Sequence, residues 1–171
     1  MILNDEKFCG FLEKLNFPLY LCIQENDITM DEIKNENENE INPIDEARRY
    51  VANAEETIKK ATYDPETKSY LDKKYVRTAG DILWKGCLIA LDAVLHVRKG
   101  KGRPSVDKYR LAASQRDRKL LQFMKVAYDT LHLSMGYDGI QSKKVCDVGF
   151  ECAKDIINRC AVLYQPEEVN A

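Results

Sequence analysis

The chain is poor in the residues that break helices and turn strands. It has eight glycines and five prolines in 171 residues. A turn-rich sheet protein needs many more such positions, so their scarcity favours long helices. No two of the six cysteines, Cys9, Cys22, Cys87, Cys146, Cys152 and Cys160, stand in a C-x-x-C pair. That spacing excludes zinc-ribbon and thioredoxin-like readings. The thiols read as reduced, small core hydrophobes. Histidine occurs only at His96 and His132. Glu55, Glu56, Asp81 and Asp92 therefore lack the Glu-x-x-His pairs of a di-metal bundle, and neither a metal nor a cofactor is expected. A net charge of −2 gives no overall attraction to nucleic acid or anionic lipid. The stretch GKGRPS lacks the spacing and ending of a phosphate-binding loop. The start, MILNDEKFCGF, has no basic region followed by an apolar core, which predicts a cytoplasmic protein. Hydrophobic content of 44% beside 32% charged residues suits a soluble globular chain.

What is present is one dominant apolar segment, Asp81 to Val97, DILWKGCLIALDAVLHV. It is too short, and too interrupted by Asp81, Lys85 and Asp92, to cross a membrane. A helix apolar nearly all round must be surrounded by other helices. It reads as the central helix of a bundle, with Ile82, Leu83, Ile89, Leu91 and Val94 buried. Trp84, the single tryptophan, belongs to the core or to a dimer interface.

The remaining chain is organised around it. Residues 1–33 form a short N-terminal helix and extended arm, since Phe8, Phe11, Leu12 and Leu15 have helical spacing and Pro18 breaks it. Residues 34–41 are a polar, acidic linker. Residues 42–163 are the bundle, and 164–171 a tail. The first bundle helix opens at Asn42-Pro43, a cap followed by a favoured first residue. Its stripe is Ile44, Ala47, Val51, Ala54 and Ile58. The second helix is predicted from about Ser69 to Lys99, stopped by Gly100 and Gly102. The third starts at Ser105, with Tyr109, Ala112, Ala113, Leu120, Phe123, Met124, Ala127, Tyr128 and Leu131 as its apolar stripe and a bend or exposed turn within Ser114 to Lys119. Met135 to Gly139 reads as a loop. The last helix, about Gln141 to Leu163, buries Val145, Val148, Cys152, Ile156, Ile157 and Cys160. The fold class is all-α: an antiparallel bundle of four main long helices.

Three segments carry a resemblance. Ala47-Arg48-Arg49-Tyr50 through Ala54-Glu55-Glu56, Lys74 to Ala79, and Ala90 to Leu95 resemble the helices of HEPN-type bundles. YVRTAG, ALDAVL and LHLSMGYDG within Asn42 to Leu163 are similar to a small bacterial family, domain of unknown function 5618. Residues 1–41 lie outside the likeness. The HEPN resemblance implies either a metal-independent ribonuclease, toxin-like, in which each dimer partner supplies an Arg-x(4–6)-His motif, or a non-catalytic domain that binds nucleotides or a nucleotidyltransferase. His132 matches the motif's histidine. The motif's arginine has no counterpart: Lys125 is the basic residue of that window, and lysine lacks the guanidinium fork. Arg118 is the other cation on that helix considered for the role.

Two features remain as candidate sites. His132 has the chemistry of a general base or phosphate-orienting group, against the simpler role of interacting with its helix's last carbonyls. His96, Arg98, Lys99, Lys101 and Arg103 form the densest basic cluster, suited to a phosphate or an RNA backbone, or else a solvated loop complementing a helix C-terminus. The preferred expectation is a non-catalytic HEPN-like binding or interaction protein that forms a homodimer. A protein partner, RNA or a nucleotide stands as its further ligand, and no membrane is involved.

Overall fold

The structure, a computed structural model, describes residues 41–97 and 102–165. The expected N-terminal arm and most of the linker, Arg98, Lys99 and Lys101, and the end of the tail lie outside the described residues. The first helix, α1, spans Pro43–Ile58. Its cap forms as the sequence predicts: the Asn42 side chain accepts from the Ile44 amide at 2.9 Å, and Pro43 follows. Ile44, Ala47, Val51, Ala54 and Ile58 are all buried, since alternating steps of three and four keep one helix face inward.

The expected start of the second helix at Ser69 is corrected. A 3₁₀ turn over Lys59–Ala61 leads into a small hairpin, β1 Tyr63–Asp64 and β2 Ser69–Tyr70, paired antiparallel. The Asp64 carboxylate accepts from the Glu66 amide and the Thr67 hydroxyl, a side-chain turn the sequence carries without an Asn-Gly signal. Long-range hydrogen bonds hold the hairpin: the Tyr70 amide donates to Gln141 and the Lys143 amide to Lys68. Helix α2 begins behind them, at Lys73, with Asp72 capping the Lys74 amide. It runs Lys73–Leu95 and ends at His96, whose φ of 45° takes the left-handed turn expected of glycine. It stops short of Lys99.

Helix α2 is the centre of the core. Val76, Ala79, Leu83, Cys87, Ala90 and Leu91 are fully enclosed, with Trp84, Leu88 and Val94 nearly so. Ile82 and Ile89 are only partly buried, flanking the core. The third rod is broken. Helix α3, Val106–Arg116, gives way at an extended Asp117 to α4, Arg118–Ala127. A π-helical stretch then covers Tyr128–Asp138. The bend expected within 114–119 is thus a full break. The loop expected at Met135 to Gly139 is instead π-helical through Asp138, with Gly139 ending it at φ 64°. Packing explains the extra winding: Met135 and Gly136 are buried against α2. Helix α5, Lys143–Leu163, buries Cys146, Gly149, Ala153, Ile156, Ile157 and Cys160. Val145 and Cys152 are only partly buried and Val148 is exposed. Ile156, Ile157 and Cys160 are buried as expected, while in the first half of the helix the inward positions sit one residue later, at the small residues Cys146, Gly149 and Ala153, with Gly149 close against Met135 and Leu131.

Asp117 makes the break. Its carboxylate caps the Leu120 amide at 2.6 Å and accepts from Nε and Nη2 of Arg159, tying the α3–α4 joint to α5. The Arg159 hydrogen bonds, then the Leu120 amide, hold its pKa below the ordinary carboxylate value of 3.8. A depressed carboxylate pKa contributes stability above the unfolded value and loses it as pH falls through the folded one. Asp117→Ala is therefore expected to cost roughly 1–3 kcal/mol at neutral pH, from a lost cap and charged hydrogen bonds. The gap from the parent should narrow as pH falls from neutral into acid, below the ordinary carboxylate value of 3.8. Urea titrations at neutral and acid pH check this; a gap that stays as wide in acid refutes it.

Candidate functional site

His132 stands on the π-helical stretch, half-buried. Its ring stacks on Trp84, centroids 5.8 Å apart at 30°, and lies 5.3 Å from the Tyr128 ring. Trp84 meets Tyr128 edge-on at 5.8 Å. Tyr128 and His132 are four positions apart and so lie on one side of the stretch, where α2 presents Trp84. Arg110 of α3 adds a cation, its guanidinium carbon 5.0 Å over the Tyr128 ring. Its Nη1 approaches Asp107 at 3.4 Å. Its buried Nε has no hydrogen-bond partner among the described residues.

The two cations expected to serve His132 are not the ones the fold supplies. Lys125 and Arg118 are exposed on α4. Neither makes an ion pair or ring contact among the described residues. Arg110 takes the place beside the rings. Sequence reasoning missed it because Arg110 lies on a different helix, across the Asp117 break, with no local spacing to link it to His132. No hydrogen bond joins the His132 ring to any described residue.

Of the basic cluster, His96 and Arg103 are among the described residues. Arg103 binds Asp92 at 3.1 Å, and the same carboxylate accepts the Tyr109 hydroxyl. Tyr109 is 1% exposed, and burial followed by this carboxylate pushes its phenol pKa up. Arg103 is thus engaged in clamping α2 to the start of α3. His96 is exposed at the α2 terminus.

The thiols have no nucleophile's environment. Burial pushes Cys160 up to about 12 and Cys146 to about 11, and raises Cys87 further. A thiol so raised stays protonated and unreactive at neutral pH. Cys87, Cys146, Cys152 and Cys160 are all free. No group of three or more His, Cys, Asp or Glu side chains is placed to hold a metal among the described residues. No helix among them is long and apolar enough to cross a membrane.

A second region lies along the seam of α1 and α5. A cavity of about 440 Å³ is lined by Glu55, Ile58, Lys59, Tyr70, Asp147, Phe150 and Glu151. A smaller one, about 260 Å³, is lined by Arg48, Val51, Ala52, Glu55, Lys154, Ile157 and Asn158. Glu55 borders both and bridges the seam to Lys154 at 2.8 Å.

The model of the family described as Domain of unknown function (DUF5618) matches residues 42–162, and the chain belongs to that family. A solved structure, of a protein of unknown function from Dyadobacter fermentans, is similar at 34% identity and a TM-score of 0.62. The match covers 69% of this chain and 92% of that one. No curated protein matches the chain.

Proposed function

We propose that this DUF5618 bundle is a non-catalytic, HEPN-like binding or interaction module of the cytoplasm, working as a homodimer. The observation that supports it is the packing of His132. Its ring is spent on contacts with Trp84 and Tyr128, with no hydrogen bond from a described residue to orient it. A general base needs such an orienting partner. The exposed Lys125 gives a point charge where phosphate recognition favours a fork.

The ribonuclease reading keeps one favourable observation, the Arg110 guanidinium on Tyr128 beside His132. A cleavage assay on the purified full chain separates the two. RNA is expected to stay intact, and His132→Ala to alter local stability only. Cleavage that His132→Ala abolishes, together with either Lys125→Ala or Arg110→Ala, makes the protein a nuclease.

The dimer reading rests on exposed apolar side chains at one end of the bundle. Leu71 is 62% exposed, Tyr137 73% and Ile140 39%, around the junction of the hairpin with residues 140–143. Sedimentation equilibrium should give a dimer that Tyr137→Glu converts to monomer. A monomeric parent at high micromolar concentration removes the claim.

A further inference from the structure

We propose that the larger cavity, between α1, β2 and α5, is a docking point for an arginine side chain on a segment of a partner protein. This deepens the interaction-module reading and rests on it. The cavity's volume of about 440 Å³ falls within the range that holds small ligands. Its lining contains two ring systems, Tyr70 and Phe150, both partly buried on the core. Ile58, 7% exposed, forms an apolar wall.

The charge of the lining selects a cation. Glu55, Asp147 and Glu151 stand against Lys59 alone. Most of these charges are already engaged. Lys154 holds Glu55, Lys143 holds Asp147, and Glu56 holds Lys59. Glu151 makes no ion pair or hydrogen bond with any described residue. One uncommitted carboxylate therefore borders a cavity walled by two aromatic rings.

A guanidinium satisfies both features at once. Its fork pairs bidentately with a carboxylate, and its flat face stacks on an aromatic ring. An ammonium supplies the charge without the plane. An anion meets repulsion from Glu151, the lining carboxylate that no described lysine pairs. A purely apolar occupant would desolvate Glu151 without pairing it, which is costly. The adjoining smaller cavity favours a protein segment over a free small molecule. It continues along the same seam past Glu55 and offers Val51, Ala52 and Ile157 to the residues flanking the arginine.

The test is a titration of the isotope-labelled full chain, read by backbone amide shifts. The probes are a terminally blocked Gly-Arg-Gly peptide, the matching lysine peptide and free L-arginine. The arginine peptide should give saturating shifts at Tyr70, Phe150 and Glu151 below about 10 mM, in the affinity range of a single side chain. Glu151→Gln, an exposed change that leaves the fold intact, should weaken it about threefold, the loss of one solvent-screened charged pair. The lysine peptide should bind several-fold more weakly. Shifts that never saturate, or that appear elsewhere, overturn the proposal. So does Glu151→Gln binding like the parent, or a lysine peptide binding as well as arginine. Free arginine binding more tightly than the peptide overturns the partner-protein source. A positive ribonuclease assay sinks the interaction-module reading without touching these shifts, so the two failures can be told apart.

Discussion

Gly80→Val is expected to unfold the bundle or leave it without a cooperative transition. An added Cβ at Gly80 would lie 2.6 Å from the Met135 Cβ, 2.8 Å from the Gly136 amide nitrogen and 2.9 Å from the Leu131 carbonyl oxygen. Two of these three atoms are backbone, so no side-chain rotation relieves the clash. The α2 helix and the π-helical stretch would have to separate. Overpacking usually costs about 1–3 kcal/mol, and a valine pressed on backbone belongs above that range. Even alanine should destabilise, although glycine-to-alanine in an open helix gains up to about 1 kcal/mol. The contrasts make the claim specific. At Gly149 the crowding atoms are the Met135 sulfur at 2.5 Å and a Leu131 methyl at 3.0 Å. These are ends of flexible side chains, so Gly149→Ala should cost less than Gly80→Ala. Gly102 has nothing within 4 Å among the described residues, and Gly102→Ala should be near neutral. Urea denaturation followed by circular dichroism orders the three. A Gly80→Ala protein as stable as the parent refutes the close contact.

Leu91→Ala is the second large effect, a loss of roughly 2–5 kcal/mol. Leu91 is fully enclosed on α2, where neighbouring side chains cannot close the void. Against a typical total of about 5–15 kcal/mol, this leaves a marginal protein. Ile89→Ala, two residues away at the edge of the core, should cost clearly less. Leu91→Met, which conserves volume, should stay below about 1.5 kcal/mol. Denaturant midpoints with an unchanged slope would locate each effect in native stability. A loss well under 1 kcal/mol for Leu91→Ala would contradict a central position for α2.

Much of what depends on local periodicity is readable from the amino acids alone, although apolar spacing also points Ile82, Ile89 and Val148 inward where the packing leaves them at the edge or exposed. The all-α class, the Asn42-Pro43 start of α1, its whole inner stripe and the central place of Leu83, Leu91 and Val94 follow from apolar spacing and cap chemistry. These act over a turn or two of helix, so the information lies in neighbouring residues. The tertiary structure decided the rest. The hairpin between α1 and α2 is held by amide hydrogen bonds from Tyr70 to Gln141 and from Lys143 to Lys68, partners far apart in sequence. The break at Asp117 needs Arg159 of another helix. The π winding of 128–138 depends on how closely Gly80 lets that stretch approach α2. The candidate site changed for the same reason. His132 was visible as one of two histidines, but its surroundings, Trp84, Tyr128 and Arg110, come from three different elements. The α1–α5 seam had no sequence signal at all, because a cavity is the space that packed helices leave unfilled and no single stretch of chain encodes it.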